Sequence, residues 1–200
     1  MRLIYWVAAG SFVGSIAGLI SALFLTGVAS FGIQRADSVM IDDWFSDWTI
    51  GTEGSSRYLK AWIARNGLLA MRKSEAIYFV RTTDDTGQSL RETCRYLVSG
   101  GDLPAAWWSI TLYDASGYLP MNTDAHLSFD ASDRSETVWS FEVAKSEPVG
   151  GIAWVSSKAS ERFDLTLRLY LPDPEFLADP QNKNAFPTVK RLSCSAQEKS

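Results

Sequence analysis

The stretch FDLTLRLY, residues 163–170, has the clearest strand periodicity in the sequence. Apolar residues occupy the odd positions from Phe163 to Leu171, and polar or amphipathic residues occupy the even positions from Arg162 to Tyr170. Successive side chains of a β-strand point to opposite faces of the sheet. The alternation therefore predicts a strand with one buried face, which includes Leu171, and one wetter face.

Three segments upstream alternate in the same way, at residues 90–98, 107–113 and 138–143. Turn-forming residues lie between the segments, in the tetrapeptides DDTG (84–87), SGGD (99–102), DASG (114–117) and PVGG (148–151). Short strands joined by tight turns are typical of an antiparallel β-sandwich or jelly roll, so we predict a mainly β domain. Pro172 to Pro187 is predicted to be a long loop before a short closing segment.

Residues 56–72 have helical periodicity, with apolar residues near one face and basic residues elsewhere. The apolar positions are Leu59, Trp62, Ile63, Leu69 and Ala70, and the basic positions are Arg57, Lys60, Arg65 and Arg72. We expect this amphipathic helix to precede the sandwich and to pack on it. The alternative is that the basic helix lies on anionic lipid.

Leu3 to Ile33 contains no charged residue. A membrane-spanning helix needs roughly 20 apolar residues, whereas the apolar part of a cleaved signal peptide has about 7–15. We therefore predict a transmembrane anchor at residues 1–33, a stalk at 34–54 and the β domain at 55–200. A signal peptide cleaved after Ala29 is the alternative.

Arg2 and the amino terminus flank one end of the apolar segment, and Arg35 flanks the other. Positive charge favours the cytoplasmic side. We expect a single-pass protein of the cell membrane, with a cytoplasmic N-terminus and the main domain in the periplasm or otherwise outside the cytoplasm.

Gly10, Gly14 and Gly18 form two overlapping G-x-x-x-G steps. Small residues four apart let two membrane helices approach closely, which would permit a homodimer or a contact with a neighbouring membrane protein. The alternative is that glycine is simply common in membrane helices.

Cys94 and Cys194 are the two cysteines of the sequence. In an oxidising compartment they could form one disulfide, which we favour because the apolar segment indicates export. The alternative is two small, unconnected buried residues. Two cysteines and one histidine do not supply a structural zinc site, so no metal and no cofactor is expected.

The net charge is −4. A nucleic-acid partner requires a basic surface to neutralise phosphates, so we expect no nucleic-acid binding.

Common catalytic motifs are absent from the sequence, which has no G-x-S-x-G, H-E-x-x-H, C-x-x-C or phosphate-binding glycine loop. His126 could act as a base for Ser109 or Ser128, although a histidine in a polar loop is the simpler interpretation. Six aspartates could include a carboxylate pair for glycoside hydrolysis, although turns also favour aspartate. They are Asp84, Asp85, Asp114, Asp124, Asp130 and Asp133.

A better candidate site is a surface on the sheet. If Trp108 points inward, Trp107 and Tyr113 point outward, and Arg168 and Tyr170 occupy the wetter face of the 163–170 strand. Aromatic rings beside an arginine could stack on a sugar or hold an acidic ligand. The alternative is that other parts of the domain cover this face.

Three ordered motifs carry a resemblance to a known family. They are GLLA (67–70) with EAIY (75–78), WWSITLYD (107–114), and FDLTLRLY (163–170) with Pro172. Together they resemble the domain of unknown function DUF1214, over roughly Tyr58 to the C-terminus. The resemblance implies a mostly β, sandwich-like module and no established reaction. Many relatives carry a second, upstream domain where this chain has the apolar segment.

Three functions are therefore considered. The leading hypothesis is a non-enzymatic envelope module that binds a ligand or partner, because no catalytic constellation is evident. The rivals are a carboxylate-based hydrolase acting on glycans, and a scaffold that acts through transmembrane helix association.

Overall fold

The computed structural model of the protein describes residues 2–25, 38–48, 71–134, 136–181 and 186–195. The chain forms two compact units. The amphipathic helix predicted at 56–72 lies outside the described residues, apart from its last two positions, which are irregular. Its two interpretations therefore stay predictions, as does the anchor at residues 1–33.

The described part of the first unit is one helix, α1 (Arg2–Leu25). Large apolar side chains along it are exposed, including Phe12, Leu19 and Ile20 at 68%, 62% and 61%. Within the described residues, no helix is both long enough and apolar enough to span a membrane.

The second unit is built mainly from strands, with one short helix. The elements are β1 (Ser38–Ile41), β2 (Trp44–Asp47), β3 (Ala76–Arg81), β4 (Cys94–Gly100), β5 (Ala105–Asp114), β6 (Ser128–Asp130), β7 (Trp139–Ala144), β8 (Trp154–Ser156), β9 (Phe163–Pro172), α2 (Pro174–Ala178) and β10 (Thr188–Cys194).

The strands form a six-stranded sheet in the order β1-β2-β3-β9-β5-β6 and a four-stranded sheet in the order β10-β4-β7-β8. The mainly β, antiparallel prediction is confirmed for these sheets. The pair β7–β8 is parallel, which departs from the fully antiparallel arrangement that the sequence suggested. Strand β9, which contains the alternating stretch 163–170, lies inside the larger sheet between β3 and β5.

The hydrophobic core lies between the two sheets. Leu165, Leu167 and Leu169 of β9 are completely buried, as their alternation predicted. Aromatic pairs connect the sheets, with ring centroids separated by 4.4 Å for Trp108–Trp139, 4.6 Å for Phe129–Phe141 and 5.8 Å for Tyr96–Phe163. Aromatic side chains supply large buried areas, so these contacts make the two sheets a sandwich.

Residues 38–47 correct the sequence interpretation of an irregular stalk, because they form the β1–β2 hairpin. Asp42 and Asp43 occupy its turn with φ of 46° and 64°. Two successive positive φ angles match the twist of a tight hairpin, and aspartate tolerates them. Trp44 is fully buried, and its Nε1 donates a hydrogen bond to the carbonyl of Pro187 at 2.8 Å. The hairpin is thus part of the sandwich.

Two expectations near the end of β9 are also corrected. Leu171 was expected on the buried face, but it has φ of 48° and is 62% exposed, because the backbone leaves the regular pleat there. The predicted loop of residues 172–187 contains α2, whose Phe176 is buried against Phe186 with ring centroids 6.0 Å apart.

The predicted disulfide is present between Cys94 and Cys194. The two residues lie opposite each other where β4 pairs with β10. The bond closes a sequence separation of 100 residues and fixes the last described strand to the smaller sheet.

Candidate functional site

The outer face of the six-stranded sheet carries a row of polar and aromatic side chains. At its centre, Arg168 of β9 lies opposite Tyr78 of β3 on one side and Ser109 of β5 on the other. Leucines occupy the alternate positions of β9 and face the core. The same alternation that builds the core therefore places Arg168 on the opposite face.

The guanidinium of Arg168 is held by two hydroxyl groups of β5. Its Nη1 donates to Oγ1 of Thr111 at 2.9 Å, and its Nη2 donates to the phenolic oxygen of Tyr113. The guanidinium carbon also lies 5.3 Å from the ring centroid of Tyr113 and 5.9 Å from that of Tyr78. Arg168 is half-buried, and among the described residues no carboxylate forms an ion pair with it.

Tyr78 is a half-buried member of the same face. Burial raises its pKa above the ordinary value, and the neighbouring Tyr170 and Tyr113 add to this, while the charge of Arg168 opposes it. Tyr78 consequently stays a neutral phenol near pH 7 and adds no negative charge beside Arg168.

Trp107 and Tyr170 form an aromatic pair next to the arginine. They are register partners on β5 and β9, with ring centroids 5.2 Å apart. Trp107 is 37% exposed, and its Nε1 donates to Oγ of Ser132 at 3.3 Å. This pair presents a partly exposed aromatic surface on the same sheet face as Arg168.

Asp164 lies at the other end of the row, opposite Tyr113. Burial raises the pKa of its carboxyl group to about 6, and the charge of Asp114 adds to the increase. The hydroxyl of Thr166, which donates to Oδ1 of Asp164 at 3.3 Å, opposes it. Asp164 therefore titrates near pH 6, far above an ordinary aspartate.

The arrangement is suited to hold an anion. A guanidinium has five N–H donors in a planar fork and binds a carboxylate through two parallel hydrogen bonds. Hydroxyl groups orient Arg168 without neutralising its charge. Within the described residues there is no group of three or more side chains that could hold a metal ion.

All four residues proposed from the sequence, Trp107, Tyr113, Arg168 and Tyr170, lie on this one face. Tyr113 contacts Arg168, and Trp107 contacts Tyr170. Sequence analysis missed the contributions of Tyr78 and Asp164. Their outward positions follow from strand alternation, but the register that places them beside Arg168 is not visible in the sequence.

Most of the aspartates considered for hydrolysis have local partners that explain them as turn residues. Oδ1 of Asp84 accepts the backbone N–H groups of Thr86 and Gln88, at 2.9 and 3.1 Å. Asp114, Asp130 and Asp133 accept backbone N–H groups of their own turns in the same manner. Asp85 binds the guanidinium of Arg81 at 2.7 Å.

His126 and Asp124 lie elsewhere, beside β8. The ring of His126 stacks with that of Trp154, with centroids 5.4 Å apart. Asp124 accepts a hydrogen bond from the hydroxyl of Ser156 at 2.7 Å. The serines considered as partners of His126 belong to strands β5 and β6 of the larger sheet.

In the first unit, Gly10, Gly14 and Gly18 lie four residues apart along α1. Among the described residues, nothing lies within 4 Å of the position that a Cβ atom would take at any of the three. As far as the described residues are concerned, each glycine therefore leaves open space beside the helix backbone.

Comparison with known proteins gives a family and a fold. A family model described as "Protein of unknown function (DUF1214)" matches residues 75–174, which is half of the chain. The crystal structure of the VPA0106 protein from Vibrio parahaemolyticus is similar, with a TM-score of 0.54 and 17% identity over 70% of this chain. A putative uncharacterized protein from Burkholderia cenocepacia matches with a TM-score of 0.40 and 13% identity over 94% of the chain.

The chain spans 36% of the length of the Vibrio protein and 44% of that of the Burkholderia protein. No curated protein matches the chain. The likeness to the Vibrio structure concerns the fold alone.

Proposed function

We propose that this chain, which belongs to the family described as "Protein of unknown function (DUF1214)", is a membrane-anchored module that binds a carboxylate-bearing ligand outside the cytoplasm. Arg168 binds the carboxylate, and the Trp107–Tyr170 pair contacts the remainder of the ligand. The observation that carries the proposal is the half-buried guanidinium whose described hydrogen-bond partners are the hydroxyls of Thr111 and Tyr113.

A half-buried charge without a counter-charge is costly, because protein screens it less well than water does. The contacts of Arg168 with two tyrosine rings offset part of this cost. A carboxylate from solution would supply the counter-charge that no described carboxylate provides, and it would use N–H donors that the two hydroxyls leave available.

The aromatic pair supports a ligand with a ring or other apolar surface. Tyr170 is two residues from Arg168 on the same face of β9, a separation of roughly 7 Å. The guanidinium itself lies beside Thr111, four residues or roughly 13 Å from Trp107 along β5. A ligand that contacts both the guanidinium and the aromatic pair must therefore be longer than one sugar ring, such as an oligosaccharide that carries a carboxylate. Glucuronate, which has a carboxylate on a single ring, is a probe of the arginine end of such a ligand.

The anchor is supported by the sequence. The 31 residues from Leu3 to Ile33 carry no charge, and a span needs roughly 20. Arg2 and the amino terminus favour a cytoplasmic N-terminus, which would place the sandwich outside the cytoplasm. Disulfides persist in oxidising compartments, so the Cys94–Cys194 bond is consistent with that location.

Helix association is a second candidate function, favoured by the open space beside Gly10, Gly14 and Gly18. A second helix could approach the backbone closely along this column. This association would add to ligand binding rather than replace it, because the glycines and Arg168 belong to different units.

Calorimetric titration of the full chain in detergent micelles tests the binding proposal. We expect glucuronate to bind and glucose, which lacks the carboxylate, to bind far more weakly. Equal affinities for the two sugars, or no binding of glucuronate, would overturn the proposal.

A further inference from the structure

A cavity lies beside the parallel strand pair β7–β8, and Arg168 is not among its lining residues. It has a volume of about 450 Å³ and opens between the loop before β6 and the residues that follow β7 and β8. Its lining residues are Asp124, His126, Lys145, Ser146, Glu147, Trp154 and Lys158. This volume is within the range of pockets that hold small ligands.

An aromatic wall forms one side of this cavity. The rings of His126 and Trp154 are inclined by 33°, and their centroids are 5.4 Å apart. The Nε1 of Trp154 donates to the carbonyl of Ala144 at 2.9 Å, which fixes the indole. The carbonyl of His126 accepts the N–H of Ser156 at 2.6 Å, which ties its loop to β8. These hydrogen bonds therefore fix the indole ring and the loop of His126 without a ligand.

Asp124 supplies an oriented acceptor. Its Oδ2 accepts the hydroxyl of the buried Ser156 at 2.7 Å, and its Oδ1 lies 3.5 Å from Nζ of Lys158. The hydrogen bond from Ser156 and the charge of Lys158 lower the pKa of Asp124, so the carboxylate stays ionised. Ala125, between Asp124 and His126, has φ of 57°, a conformation that non-glycine residues adopt only where their surroundings enforce it.

The charges that line the cavity balance. Nζ of Lys145 lies 2.8 Å from Oε1 of Glu92, and this hydrogen bond raises the pKa of Lys145. Lys145 and Lys158 are offset by Asp124 and Glu147 within the lining itself. An anionic ligand would find both lysines already paired with a carboxylate, Lys145 with Glu92 and Lys158 with Asp124, in contrast to the guanidinium of Arg168. A neutral ligand with many hydroxyl groups would find both donors and acceptors.

We propose that this cavity binds a neutral sugar residue of a glycan. The apolar face of the sugar ring stacks on the His126–Trp154 wall, and its hydroxyls donate to Asp124 and accept from Lys145 or Lys158. The inference does not depend on the proposed acidic ligand, because the two sites share no residue.

Saturation-transfer NMR of the full chain in micelles, with maltose, lactose and chitobiose as probes, tests this site. We expect at least one of the three to bind with millimolar affinity. His126→Ala should weaken that binding about fivefold through lost ring contact, and Asp124→Asn should weaken it further. Met121→Ala is the control, since Met121 is 95% exposed in the same loop and does not line the cavity.

Failure of all three sugars to bind would overturn the inference. Binding that persists unchanged in His126→Ala and Asp124→Asn would overturn it too, because the sugar would then occupy another site. Glucuronate titration of the same variants separates the two proposals, since His126→Ala should leave glucuronate binding unchanged.

Discussion

Tyr113 accepts a hydrogen bond from the guanidinium of Arg168, and its ring centroid lies 5.3 Å from the guanidinium carbon. The two residues are not register partners, because Arg168 lies opposite Ser109 and Tyr113 lies opposite Asp164. The arginine side chain therefore extends along the sheet face past Thr111 to reach Tyr113. The two hydroxyl groups therefore fix the orientation of the guanidinium, on which the proposed binding site depends.

Arg81 should be essential for stability. It is 2% exposed, and it donates to the carbonyls of Asp42, Thr83 and Pro187 and to the carboxylate of Asp85. Arg81→Met would remove these four hydrogen bonds. The carbonyl of Pro187 would keep its hydrogen bond from Trp44, and the carboxylate of Asp85 is partly exposed to solvent, so we expect the free energy of unfolding to fall by about 2–3 kcal/mol.

Urea denaturation of the full chain in micelles measures this loss. Arg134→Met is the matched control, because Arg134 pairs with Asp102, whose side chain is 70% exposed, and such surface pairs contribute about 0–1 kcal/mol. Equal losses in the two variants would contradict the role assigned to Arg81.

The disulfide should stabilise the sandwich. Closing a loop of about 100 residues limits the unfolded chain and contributes about 4.7 kcal/mol in the entropic model, with measured values typically about 2–4 kcal/mol. We expect the double variant Cys94→Ala/Cys194→Ala to unfold at lower urea concentration than the oxidised wild type. Adding a reductant should shift the wild type in the same direction and leave the variant unchanged. A reductant effect of equal size on both proteins would contradict this explanation.

Asp164 should make stability depend on pH near 6. Its folded pKa of about 6 exceeds the ordinary value, so the folded state binds the proton more tightly than the unfolded state does. The free energy of unfolding should therefore fall as pH rises through the interval from about 4 to about 6, and return on acidification.

The variant Asp164→Asn isolates this effect, since its side chain does not titrate. We expect its advantage over wild type to be larger at pH 8 than at pH 4 by about 1–2 kcal/mol, less than the full linkage value because Asp164 is only partly buried. Asp179→Asn, at an exposed position, is the control and should show no such difference. An advantage that does not change with pH would show that Asp164 is not the titrating group.

The glycine column of α1 should mediate association if the helix lies in a membrane. A large branched side chain at Gly14 would separate two helices that approach there, so we expect Gly14→Ile to reduce dimerisation in a membrane reporter assay severalfold. Ala9→Ile is the control, because Ala9 is five residues from Gly14 and nine from Gly18 and therefore lies on another face of the helix. Unchanged dimerisation in Gly14→Ile would exclude this surface as the contact.

The sequence was most informative where side chains alternate along single strands. The leucines of β9, the outward position of Arg168 and the mainly β class all follow from a period of two. The Cys94–Cys194 pairing was favoured because the apolar segment indicated an oxidising compartment. The strand predictions use only local sequence, and the disulfide prediction uses the fact that two cysteines allow a single pairing. Neither requires the order or register of the strands in a sheet.

The missed features depend on contacts between distant segments. The sequence predicts an irregular segment at residues 38–47, because Asp42-Asp43 is an uncommon hairpin turn and because the burial of Trp44 depends on distant contacts that include Pro187. Strand β8 (Trp154–Ser156) has three residues, which is too short to show the two-residue alternation of a strand in the sequence. The parallel pair β7–β8 and the cavity beside it could therefore not be predicted. The position of Asp164 opposite Tyr113 required the strand register.

The proposed site requires that Arg168 bind the carboxylate of the ligand. Calorimetric titration of Arg168→Gln with glucuronate is the decisive test. Arg168→Lys retains the charge without the planar fork, and the exposed Arg162→Gln is the control. We expect a loss of at least about tenfold in Arg168→Gln, a smaller loss in Arg168→Lys and none in Arg162→Gln. Wild-type affinity in Arg168→Gln, or an equal loss in Arg162→Gln, would contradict the account.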